Sequence, residues 1–114
     1  MIRITDKKAI KVGPLIENHI YHLAILEFGE QAQIEMMIEE CAELIQAIQK
    51  FKRKGKLWSI ADVEKVRDEL ADVQIMLNQM VYVFGHFDSE KQVKLKRLFK
   101  RILKSIYADV GDEK

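Results

Sequence analysis

Apolar residues recur along this chain every three or four positions, the period of an α-helix, in four blocks parted by short gaps. In the first block Ile16, Ile20, Leu23, Ala24 and Phe28 predict a helix over about 15–28 that stops at Gly29. The second, with Ile34, Met37, Ile38, Cys41, Leu44, Ile45, Ile48 and Phe51, predicts a helix over 30–54 whose stripe is broad enough to meet more than one neighbour. Lys50, Lys52, Arg53 and Lys54 crowd its last turn, where cations complement the helix dipole, and Gly55 ends it. The third block sets Val63, Val66, Leu70, Val73, Leu77, Met80 and Phe84 on alternating three- and four-residue steps, capped by Ser59 or Asp62 and running to about Gly85. The link over 55–61, which contains Trp58, is short, so helices two and three form an antiparallel hairpin.

A fourth helix is expected to start at a capping box, Ser89-Glu90-Lys91-Gln92, with Phe87 as a hydrophobic staple. It would run to about Tyr107 and direct Leu95, Leu98, Phe99, Ile102, Leu103 and Ile106 inward. The predicted fold is all-α: an antiparallel bundle of about four helices forming one domain over 1–114. Residues 1–14 are read as an N-terminal arm and 108–114 as a frayed tail.

Composition agrees. Hydrophobic residues at 48% and charged ones at 32%, with one Pro and five Gly, suit helices joined by few turns. A net charge of +1 argues against bulk attraction to nucleic acid or to an anionic membrane. The bases cluster at 50–56 and 91–104, and the fourth helix carries a basic face of Lys91, Lys94, Lys96, Arg97, Lys100, Arg101 and Lys104. Such a run is a solvated face, or it reaches the anionic ligand of a neighbouring subunit. The lone Cys41 sits in an apolar stripe, as a small buried hydrophobe in a reducing environment does. No stretch approaches the roughly 18 apolar residues that span a bilayer, and 1–13 lacks the apolar run of a signal peptide. The expected location is the cytoplasm.

Within the helical blocks lie two matching acidic steps, Glu40-Cys41-Ala42-Glu43-Leu44 and Glu69-Leu70-Ala71-Asp72-Val73. Residues three apart share a helix face, so each step projects two carboxylates in one direction, and four converge where the helices pack. Like charges so arranged repel, by about 0.2–0.5 kcal/mol per pair on an isolated helix, and a hard divalent cation is their natural complement. Carboxylates without thiolate or imidazole suit Mg²⁺ or Mn²⁺, which keep positions open for water and phosphate. A di-iron bundle needs Glu-x-x-His, and no His stands at either step; zinc lacks its Cys/His cluster.

The flanks of the two steps extend this surface into a graded cleft. Toward the hairpin tip it gains Lys50, Lys54 and Lys65, candidates to hold phosphate; toward the open end it gains Gln33, Met36, Met76 and Gln79, candidates to hold a base. A nucleoside triphosphate is graded the same way. Met at helical spacing is more often core packing, and the two Gln residues are equally surface positions.

The run Glu39-Glu40-x-x-Glu43, a spacer and Glu69-x-x-Asp72 resembles the signature of the MazG-like all-α nucleoside triphosphate pyrophosphohydrolases, over about residues 28–86. The resemblance implies a Mg²⁺-dependent enzyme that splits a nucleoside triphosphate between the α- and β-phosphates into a monophosphate and pyrophosphate. By that pattern Glu40, Glu43, Glu69 and Asp72 are the metal ligands. Glu39, about 100° round the helix from Glu40, is the candidate to orient water or take its proton. Leu98 and Ile102 stand where members of the family often carry Asn and Tyr.

Stripes this broad predict a homo-oligomer, dimer or tetramer, with a cleft completed by helix one or four of another copy. The competing reading is a non-enzymatic helical adaptor that uses the basic fourth helix; it gives no reason for two matched acidic steps.

Overall fold

The computed structural model describes residues 12–112. Most of the expected N-terminal arm and the last two residues of the expected tail lie outside them. Four helices account for nearly all of the described chain: α1 Pro14–Phe28, α2 Glu30–Lys54, α3 Ile60–Phe84 and α4 Asp88–Asp112, with a single 3₁₀ turn, Gly55–Leu57, after α2. The all-α fold is as the periodicity predicts, and the helical limits agree closely up to α4.

Each boundary has a local cause. Pro14 opens α1, where its missing N–H would have had no partner in the helix. Gly29 is the only residue between α1 and α2. Its N–H donates to the Ile25 carbonyl at 2.9 Å, and its φ of 90° lies in a region side chains disfavour. At the hairpin tip Ser59 precedes α3, and the Asp62 carboxylate accepts from Ser59 N–H at 2.8 Å and from Ser59 Oγ–H at 3.0 Å. Lys54, closing α2, donates to the same carboxylate at 2.7 Å, while the rings of Phe51 and Trp58 meet at 5.8 Å.

Helices α2 and α3 pack along their length, and α1 lies against both, mostly against α3. The core is small: Tyr21, Ile25, Ala47, Val73, Met76 and Met80 are buried, with Ile34, Met37 and Val83 packed around Ile25, Met76 and Met80. On α3 the buried edge is displaced from the expected one. Leu70, Leu77 and Phe84 are exposed, whereas Glu69, Met76 and Gln79 are buried. Val73, Ile75, Met76, Leu77, Met80, Val81 and Val83 surround most of the α3 circumference, so its apolar pattern alone does not fix which edge meets α2.

The fourth helix departs further from expectation. It begins at Asp88, so Phe87 occupies the N-cap position and accepts from Lys91 N–H at 3.0 Å. Ser89 is therefore inside the first turn and the expected capping box does not form. The helix packs on none of α1, α2 or α3, and Leu95, Leu98, Phe99, Ile102, Leu103 and Ile106, expected inward, are all exposed. An amphipathic pattern asks for an apolar partner without saying that the partner belongs to the same chain. A compact 100-residue domain has a radius of gyration of about 13 Å; here it is 19.6 Å, with a longest dimension of 70 Å.

Candidate metal centre

Antiparallel pairing of α2 and α3 brings the acidic steps together. One carboxylate oxygen each from Glu40, Glu43 and Glu69 lies within 4.8 Å of the others. Glu69 is 3% exposed, Glu40 is half-buried, and Glu43 lies at the solvent edge. Asp72, the fourth expected ligand, is exposed and falls outside this group of three. Its charge is still felt: burial first, then Asp72, Glu43 and Glu69, hold the Glu40 carboxyl above the usual carboxylate range. Glu39 is exposed on α2, also outside the group.

Two oxygens of the cluster, Glu40 Oε2 and Glu69 Oε2, are buried without any hydrogen-bond partner. Buried polar atoms are almost always paired, and an unpaired buried carboxylate oxygen is costly. Two such atoms beside a third carboxylate make an oxygen-only donor set that a hard divalent cation satisfies. The residues present fit such an ion.

Beside the cluster opens a cleft of about 400 Å³ lined by Glu43, Gln46, Ala47, Lys50, Lys65 and Glu69. Lys65 reaches over it to Glu69, with Nζ 2.7 Å from Oε1, and this hydrogen bond holds the ammonium above its usual range. Lys50 lines the cleft and makes no ion pair among the described residues. Lys54, also expected to hold phosphate, takes no part in the cleft lining, and its ammonium is engaged by Asp62 at the hairpin tip.

Residues 28–107 match the family model of the MazG nucleotide pyrophosphohydrolase domain. The chain belongs to the MazG family. Comparison with curated proteins and with solved structures gave no match.

At the open end of the MazG domain lie the four positions expected to hold a base, in different surroundings. Gln33 and Gln79 are buried and bonded to each other, Gln33 Nε2 donating to Gln79 Oε1, which ties α2 to α3. Met76 belongs to the core with Ile25 and Met80, and Met36 is exposed. Pattern reading missed a polar join between α1 and α3. The Tyr21 hydroxyl donates to Glu17 and accepts from Asn78 Nδ2 at 3.2 Å, while the Tyr82 hydroxyl donates to the Asn18 carbonyl at 3.2 Å. His22 stacks on Tyr82 with ring centroids 4.9 Å apart. Burial, then the bond to Glu17, pushes the Tyr21 phenol up. The available signal was the helical spacing Glu17, Tyr21 on α1 and Asn78, Tyr82 on α3, which puts each pair on one face.

Proposed function

We propose that this protein is a nucleoside triphosphate pyrophosphohydrolase dependent on Mg²⁺, with Mn²⁺ as a substitute. It cleaves the α–β phosphate linkage to give a nucleoside monophosphate and pyrophosphate, and it serves to clear unwanted nucleotides from the pool. The observation that carries this reading is the meeting of Glu40, Glu43 and Glu69 with two orphaned buried oxygens, in a chain of the MazG family.

Glu40, Glu43 and Glu69 hold the cation, and Asp72 adds its charge from the next turn of α3. When bound, the ion acts as a Lewis acid toward phosphate oxygen and acidifies a bound water. The chain's own residues do the rest. Lys50 and Lys65 neutralise the charge that grows on the departing pyrophosphate. Glu39 takes the proton of the attacking water. Gln33 lies seven residues before Glu40, about 10 Å along the helix. We therefore place the base at that end, beside the Gln33–Gln79 pair and Met36, with the phosphates toward Lys50.

A panel of nucleoside triphosphates assayed for pyrophosphate release with Mg²⁺ tests the reading. Release from at least one of them is expected, lost in Glu40→Gln and in Asp72→Asn; unchanged turnover in both variants would defeat the assignment. The second reading, an adaptor acting through α4, is favoured by the exposure of that helix over Asp88–Ala108. It is separated by metal titration, because an adaptor's melting temperature would not respond to Mg²⁺.

A further inference from the structure

Glu69 is 3% exposed, the least exposed of the core residues, and its two oxygens are used differently. Oε2 has no partner, whereas Oε1 accepts from Lys65 Nζ at 2.7 Å. The two side chains are unequal: the carboxylate is 4% exposed and the lysine 64%. Lys65 therefore reaches in from the lip of the cleft and is not packed into it.

The pair contributes little to the helix that carries it. Lys precedes Glu by four residues, the less favourable order on an α-helix, and holding a long exposed side chain in one rotamer costs entropy. What the pair does accomplish is to neutralise a carboxylate whose side chain is only 4% exposed. Within the same cleft stands Lys50, so a Lys65 released from Glu69 would put a second ammonium where an anion can meet both.

We propose that Lys65 is a resident counter-ion for Glu69, displaced when a divalent cation enters the cluster and thereby freed to engage phosphate. The inference rests on the metal reading above and adds a coupling to it. Cation and polyphosphate each favour the displaced state of Lys65, so each tightens the binding of the other, reciprocally. Lys65 then meets the substrate's phosphate directly, and its effect is read in binding as well as in turnover.

The test is calorimetric titration of the full chain with Mn²⁺, without nucleotide, in wild type, Lys65→Met and Lys65→Arg. Lys65→Met is expected to bind Mn²⁺ about two- to fivefold more tightly, the range that loss of a half-exposed ion pair permits. Its metal-free melting temperature falls, and Mn²⁺ raises it by more than in wild type; Lys65→Arg behaves as wild type. A folded Lys65→Met that binds Mn²⁺ equally or more weakly overturns the counter-ion role. Should that variant not fold by circular dichroism, Lys65→Gln takes its place with the same expectations. In a metal-free arm, Glu69→Gln releases Lys65 and is expected to bind inorganic pyrophosphate more tightly than wild type, and unchanged affinity there also overturns the proposal. A wild type that binds no Mn²⁺ overturns the metal reading itself, and the counter-ion with it.

Discussion

Glu40 and Asp62 illustrate opposite uses of a carboxylate. Glu40 is held against two acidic neighbours on its own cluster with one oxygen unpaired. Removing its charge therefore relieves the metal-free protein. We expect Glu40→Gln to raise metal-free stability slightly, since relieving a like-charge neighbour on a helix is worth about 0.2–0.5 kcal/mol per pair, and to lose any stabilisation by Mg²⁺. Thermal melts with and without the ion check both halves. Asp62 instead accepts from Lys54 and Ser59, and those bonds, with Lys54 first, lower its pKa from 3.8 to about 2. A depressed carboxylate contributes stability above its unfolded pKa and loses it as pH falls through the folded one. Wild type should therefore lose stability between about pH 4 and pH 2 in a way that Asp62→Asn does not, which urea melts across that window would reveal.

At the scale of elements, what was legible in the sequence divides by kind of signal. Helix limits were readable because glycines and caps act locally: Gly29, Gly55, Ser59 and Gly85 stand at or next to the ends they mark. Gly29→Ala meets no atom within 4 Å, so its cost is the backbone conformation alone, φ 90° with ψ 151°, a region almost exclusive to glycine and worth about 1–3 kcal/mol. Chemical denaturation would show it as a shifted midpoint with unchanged slope. The acidic steps were readable because their spacing is set by one helix at a time. Helix rotation was not, since α3 is apolar round most of its surface, and thus Glu69 proved more buried and Asp72 more exposed than a symmetric pair of steps suggests. The employment of Lys54 and of the two glutamines was equally hidden, because each depends on a side chain from another helix. The family match, over residues 28–107, takes in α2, α3 and most of α4.

For the whole molecule, the exposed apolar surface is the dominant fact. Leu98 and Ile102 on α4 and Leu70, Leu77 and Phe84 on α3 are all exposed in the isolated chain. Apolar faces of this extent mark association surfaces, and we expect a homo-oligomer by light scattering at micromolar concentration. Leu98→Glu with Ile102→Glu should shift it toward monomer. A monomeric wild type would remove the need for a second copy.

The departure of α4 from the bundle carries one more consequence. Most helical stability in proteins comes from packing, and α4, 25 residues long, has no such support from α1–α3. Its order must then be borrowed, and a loan between molecules is repaid on dilution. Ellipticity per residue at 222 nm should fall as the protein is diluted below its dissociation constant, with α1–α3 remaining folded while the last quarter of the chain melts.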